Sequence, residues 1–187
     1  MLPALSHTLI KKIRAHLAHD GVIAYATASC FGLGCDPENI NAINKILSIK
    51  QRPRSKGLIV IADRFERLAA FIKPLTIEQK SMALAKWPGP HTWLMPASHR
   101  ASSALRGRNR KIAVRVDAHP DAVRLCKALR MALVSTSANV SGRRPAKTYH
   151  ECVSQFGNIA LVVPGRIGRS KSPSTIQDFE SDRVLRK

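Results

Sequence analysis

Three stretches gather groups that can bind or activate an anionic or amino-acid substrate. "KQRPRSKG", residues 50–57, places Lys50, Arg52, Arg54 and Lys56 close together without one acidic residue. Lysine offers a point charge and arginine a planar fork, and both suit phosphate oxygens. The run is therefore a polyphosphate clamp, a nucleic-acid contact or a solvated loop. "STSANVSG", residues 135–142, presents Ser135, Thr136, Ser137, Asn139 and Ser141 directly after an apolar run. Such neutral groups can hold phosphate, ribose or an amino acid without adding charge, or simply cap a turn. "YATASCFGLG", residues 25–34, offers the Thr27 and Ser29 hydroxyls, with Gly32 and Gly34 permitting a sharp turn or a close ligand approach. An ordinary strand-to-helix connection would read the same way.

The familiar nucleotide and hydrolase signatures are absent. "GRIGRSKS" imitates a phosphate-binding loop, but Ser170 stands where a glycine should precede Lys171. No GxGxxG, GxSxG or HExxH occurs. With only 12 acidic residues, a hydrolase built on paired carboxylates is excluded as the leading class. Cys30, Cys35, Cys126 and Cys152 follow no zinc spacing and are expected as free thiols. The histidines are scattered and read as surface or structural residues, with His119 before Pro120 in a turn.

The 31 basic residues leave a net charge of +19, which favours polyanions by steering and by counterion release. RNA or DNA contact follows as an expectation. No apolar run is long enough to span a membrane, and the N-terminus lacks the order of a signal peptide, so a cytoplasmic location is expected.

The elements that must position these groups are legible from periodicity. Leu5, Leu9, Ile13 and Leu17 recur at helical spacing. "VIAYAT", "GLIVIA", "TWLMP", "IAVRV", "ALVSTSA" and "IALVVPG" read as strands, the last of these as the final strong one. Helices are expected in "DPENINAINKILSIK" from Asp36-Pro37 onward, and in "RFERLAAFI", "TIEQKSMALAKW" and "YHECVSQFG". A further helix in "HPDAVRLCKALR" would turn Val123, Cys126 and Leu129 inward. "SALRGRNRKI" reads as a basic loop and the tail from Gly165 as partly mobile. Alternating strands and helices, with strands apolar on both faces, predict one α/β domain over 1–187 around a covered sheet. All three polar stretches stand at strand ends, where open α/β sheets place ligands.

Taken together and in order, these motifs resemble the YrdC-like, or TsaC, threonylcarbamoyl-AMP synthases. The family's strand-end motif is matched by "YATASCFGL", its Lys-x-Arg-Pro by "KQRP", and its Ala-Val-Arg-x-x-x-His-Pro by "AVRVDAHP". "STSANVSG", "VVPG" and "PSTI" match its later elements, and the length is similar to the short bacterial form.

The resemblance implies an open, twisted mixed sheet with flanking helices and a basic concave surface. It implies synthesis of threonylcarbamoyl-adenylate and pyrophosphate from ATP, L-threonine and bicarbonate. A downstream transferase complex then carries the threonylcarbamoyl group to tRNA, and tRNA or other RNA would meet the basic surface. In this reading Lys50 and Arg52 grip the ATP phosphates with help from Lys56, while Ser135 and Asn139 line the nucleotide pocket and Ser174 and Thr175 close its end. Thr27, Arg115 and Ser137 would hold threonine, and Mg²⁺ would arrive on ATP. Ala26 stands where the family has proline and Ala28 where it has an acid, which bears on threonine recognition. The competing readings are a non-catalytic RNA-binding protein of the same fold and carbamoyl transfer to another acceptor.

Overall fold

The computed structural model describes residues 5–187. Six helices and nine strands follow one another: α1 (His7–Ala18), β1 (Ile23–Ala26), β2 (Phe31–Gly34), α2 (Ile40–Ile49), β3 (Ile59–Ala62), α3 (Ile77–Leu84), β4 (His91–Pro96), α4 (Ser103–Arg106), β5 (Lys111–Val116), α5 (Pro120–Leu129), β6 (Leu133–Ser137), α6 (Tyr149–Phe156), β7 (Leu161–Val162), β8 (Thr175–Asp178) and β9 (Val184–Arg186). The strands form one mixed sheet in the order β7-β1-β2-β6-β3-β5-β4-β8-β9. β3 runs parallel to β5 and antiparallel to β6.

Period-two alternation splits the core between the two sheet faces. Ile23, Tyr25, Ile61 and Leu133 pack with Ile13 and Leu17 of α1 and Leu125, Cys126 and Leu129 of α5. Ala24, Ala26, Val60 and Val134 face the opposite way, toward Ile43 and Ile46 of α2 and Phe156 of α6. Each large apolar side chain removed from water in this way stabilises the fold by about 1.5–3 kcal/mol. The helices start where their caps dictate. Thr76 caps α3 and Thr148 caps α6, each in a reciprocal capping box with Gln79 or Glu151.

Several sequence expectations need correction. α2 starts at Ile40 rather than at Asp36-Pro37, because the Asn39 side chain accepts from the Ala42 N–H and Asp36 closes a turn onto the Glu38 N–H. "RFERLAAFI" forms two short 3-10 turns, not an α-helix. In α5 the buried apolar positions are Ala122, Leu125, Cys126 and Leu129, with Val123 only half-buried. "SALRGRNRKI" contains the one-turn helix α4 and opens β5.

The largest corrections are at the ends of the sheet. "FGLG" is a strand, paired with β1 on one side and β6 on the other. A Cβ on Gly34 would lie 2.4 Å from the Val134 carbonyl oxygen, so glycine is needed there for close approach rather than for a turn. "IALVVPG" yields only the two-residue β7, and it is not the last strand. The tail is ordered into β8 and β9, and the segment before it is fastened by backbone bonds from Val163, Gly168 and Ser170 to the Ala24, Thr27 and Ala28 carbonyls.

Candidate active site

α5 packs on β1 and β3, and the same face is left open toward β5, β8 and β9. The uncovered half is the floor of a cavity of about 510 Å³. Gly32, Ser135, Ile59, Ala113 and Arg115 supply that floor from four adjacent strands, so the site lies across a sheet face as well as at strand ends. Thr27 and Ser137 do stand at strand ends, as expected, and the fastened segment closes one side with Ser170, Ser172 and Ser174. A second cleft of about 420 Å³ at the other end of β3 mixes Arg64, Arg67 and Arg130 with Asp36, Glu38 and Glu66.

Six of the expected site residues line the main cavity: Thr27, Arg52, Arg115, Ser135, Ser137 and Ser174. The Thr27 hydroxyl donates to the Cys30 carbonyl at 2.7 Å, which leaves its lone pairs for an incoming donor such as an ammonium. Arg52 is fixed by donation to the Gly57 carbonyl at 2.9 Å and the Lys56 carbonyl at 3.3 Å. Arg115 donates through both Nε and Nη2 to Asp117 Oδ2, and through Nη1 to Thr92 Oγ1. That leaves two of its five N–H groups for a carboxylate.

Lys50, Lys56, Asn139 and Thr175 do not line the cavity. Lys50 is 2% exposed, and its ammonium is taken up by the Ser137 and Asn139 carbonyls and by Asn139 Oδ1 at 2.9 Å. Ser137 Oγ donates to that same Asn139 Oδ1 at 2.6 Å, and the Lys50 carbonyl accepts from the Ser141 N–H. Lys50 thus holds the polar loop after β6 from behind the wall. Burial, then the neighbouring Arg52 cation, pulls its ammonium down to about 8. Lys56 is exposed, and its backbone pairs with Gly107. Thr175 starts β8 beside His91.

Sequence reasoning missed three wall residues. Asp117 accepts from Arg115 and also, at Oδ1, from the His119 N–H. His119 precedes Pro120 at the turn into α5, as expected, and is buried there, with Nδ1 lacking a hydrogen-bond partner among the described residues. Burial lowers its pKa, so the imidazole is neutral at neutral pH. Arg186 reaches in from β9 and donates to Ser174 O at 2.9 and 3.0 Å. Burial, Arg115 and Arg52 all depress its pKa, so three cations share the cavity, and among the described residues only Arg115 of the three has a carboxylate beside it. Asp117 and His119 stood inside the motif "AVRVDAHP", whereas Arg186 carried no local signal.

Metal chelation by the protein has little support. No group of three or more His, Cys, Asp or Glu residues among the described residues is placed to hold an ion. The Asp117 carboxylate is already engaged with Arg115 and His119, so the donor set suits a metal carried on substrate phosphates. All four cysteines are free, as expected, and all four are buried.

A face-mounted cavity with three arginines, a hydroxyl-rich wall and one engaged carboxylate defines a protein built to bind an anionic substrate together with a small polar one. The Sua5/YciO/YrdC family model, described as telomere recombination, matches residues 15–187, and the chain belongs to that family. It is 53% identical to a threonylcarbamoyl-AMP synthase of Methylobacillus flagellatus, over 94% of this chain and 98% of that protein. It is 52% identical to a threonylcarbamoyl-AMP synthase of Chromobacterium violaceum, over 95% of this chain and 92% of that protein. Among solved structures, P. abyssi Sua5 complexed with L-threonine superposes with a TM-score of 0.85 at 27% identity. That match covers 94% of this chain and 52% of the P. abyssi protein, so this chain spans about half of its length.

Proposed function

We propose that this chain is an L-threonylcarbamoyladenylate synthase, a nucleotidyltransferase serving tRNA modification. The observation that carries the reading is the convergence of Arg52, Arg115, Arg186 and the β6 hydroxyls on one cavity. The names of the relatives support it over a non-catalytic RNA binder. Arg115 takes the threonine carboxylate with its free N–H groups, and the Thr27 lone pairs face the ammonium. Ser135 and Ser137 stand between the two substrates.

Threonine's amine, having lost a proton, attacks the carbon of bicarbonate; water leaves and a carbamate forms. A carbamate oxygen then attacks the α-phosphorus of ATP, the bond to the β-phosphate oxygen breaks, and pyrophosphate departs. Arg52 and Arg186 neutralise the negative charge that grows on the leaving phosphates, and Mg²⁺ comes with ATP as part of the substrate. Lys50 serves indirectly, by fixing the Ser137–Asn139 loop. Lys56, Asn139 and Thr175 support the walls rather than touch the substrates.

The product passes to a downstream threonylcarbamoyl-transferase complex in the cytoplasm. No helix among the described residues is long and apolar enough to cross a membrane. RNA meets the protein along a ridge beside the cavity mouth. There the loops 54–57 and 106–110 are stapled by the Lys56–Gly107 pairing and by an Arg108 N–H to Ser55 O bond. Arg54, Lys56, Arg108 and Arg110 are exposed on that ridge without an ion-pair partner among the described residues.

Pyrophosphate release measured with each substrate omitted in turn tests the reaction. Release that needs threonine and bicarbonate together is expected; release from ATP alone, or none at all from folded protein, overturns the reading.

A further inference from the structure

Thr92 is a polar residue at 0% exposure on β4, on the same sheet face as the cavity-lining Arg115 and Ile176 that flank it, and is covered from the cavity itself. Its hydroxyl accepts from Arg115 Nη1 at 3.3 Å and lies 2.9 Å from Ser174 Oγ. Ser174 Oγ in turn lies 3.2 Å from Arg186 Nη2. The chain of contacts Asp117–Arg115–Thr92–Ser174–Arg186 therefore runs from β5 across β4 and the residue that precedes β8 to β9.

The two arginines make both hydroxyls acceptors, and burial decides which hydroxyl donates to the other. Arginine can only donate. Thr92 is fully buried and, among the described residues, Ser174 Oγ is the acceptor its proton can reach, so the arrangement that strands no buried proton has Thr92 donating to Ser174. Ser174 Oγ then accepts from Thr92 on one side and from Arg186 on the other. Both of its lone pairs are filled, so its own O–H is left to point into the cavity that Ser174 lines. The relay converts an ambiguous hydroxyl into a donor aimed at an anionic oxygen of the substrate.

We propose that Thr92 is a positioning residue: its buried hydroxyl joins the two arginines into one array, presents the Ser174 O–H as a donor, and couples the two substrates. Resting on the function proposed above, this places threonine at the Arg115 end and the nucleotide at the Ser174–Arg186 end. A ligand that orders either end orders the relay and prepays part of the ordering at the other. The two substrates thus strengthen each other's binding by the same factor, as linkage requires.

The test is calorimetric titration of L-threonine and of a non-hydrolysable ATP analogue with Mg²⁺, each alone and each in the presence of the other. Wild type is expected to bind each more tightly when the other is present. Thr92→Val keeps the side-chain shape and removes the hydroxyl; both affinities should fall by about tenfold and the coupling factor should approach one. Thr92→Ser restores the hydroxyl and should restore both. Folded Thr92→Val with unchanged affinities overturns the inference alone, as does a loss that Thr92→Ser fails to rescue. If Thr92→Val does not fold, Thr92→Cys takes its place, and undiminished coupling there overturns the inference. A wild-type protein that binds neither ligand overturns the proposed function and this inference with it.

Discussion

Replacing Lys50 by methionine separates two roles for that residue. Methionine fills the space of the lysine stem and removes the ammonium. Four oxygens then lose a charged donor: the Ser137 carbonyl, the Asn139 carbonyl at 3.0 Å, Asn139 Oδ1 at 2.9 Å and, more weakly, Ser137 Oγ at 3.5 Å. Asn139 Oδ1 keeps the Ser137 hydroxyl and the Ser137 carbonyl keeps the Asn139 N–H as donors, so the Asn139 carbonyl bears most of the loss. Leaving one buried acceptor unmet and weakening the others costs about 2–5 kcal/mol, and the desolvation of the ammonium that the variant no longer suffers offsets about 1 kcal/mol of it. A net loss of about 1–4 kcal/mol lowers the melting temperature of a chain this long by roughly 3–12 °C. The loop it releases carries Ser137, so the KM values for threonine and ATP should both rise. Scanning calorimetry with initial-rate kinetics reads both effects. Lys50→Met melting within about 1 °C of wild type, with the KM for ATP alone raised tenfold, would refute the loop-anchoring role and return Lys50 to the phosphates.

Three further outcomes are expected. The folded-state pKa of Lys50, about 8, lies below its unfolded value of 10.5, so between these values the unfolded chain binds more protons and the fold gains stability as pH rises. Chemical denaturation across that window should show this gain in wild type and lose it in Lys50→Met. Arg115→Lys keeps a cation beside Asp117 and discards the fork, so steady-state kinetics should show the threonine KM rising at least about tenfold with a smaller change in kcat. Replacing Arg54, Arg108 and Arg110 together by alanine should leave adenylate synthesis intact. It should also weaken RNA binding and reduce the slope of log K against log salt by about 0.7–0.9 for each phosphate no longer neutralised, measured by titration at several salt concentrations.

Much of the fold was legible because periodicity survives wherever a helix or strand covers one core. Ile23, Ile61 and Leu133 alternate as their strands demand, and Ile43 and Ile46 repeat at helical spacing. β2 was hidden because its glycines are chosen for close approach to the Val134 and Thr136 carbonyls and so read as turn residues. β8 and β9 were hidden because strands of four and three residues, TIQD and VLR, are too short to show apolar alternation. Arg115 and Ser137 were visible in dense local motifs, but Lys50 shows why residue type alone does not assign a role. Its charge suits phosphate, yet two carbonyls on the loop after β6 claim it, across 87 and 89 residues of sequence. Arg186 meets Ser174 only through the pairing of β8 with β9, a contact no linear pattern announces.

The most direct measurement is to supply ¹³C-bicarbonate with ATP, Mg²⁺ and L-threonine, and to weigh the nucleotide product while pyrophosphate is counted. A threonine-containing adenylate one mass unit heavier than its unlabelled form, equimolar with pyrophosphate, is the expected result. Pyrophosphate formed without label in the adenylate, or no adenylate from protein that binds ATP and threonine, would contradict a cavity built to join the two through a carbamate.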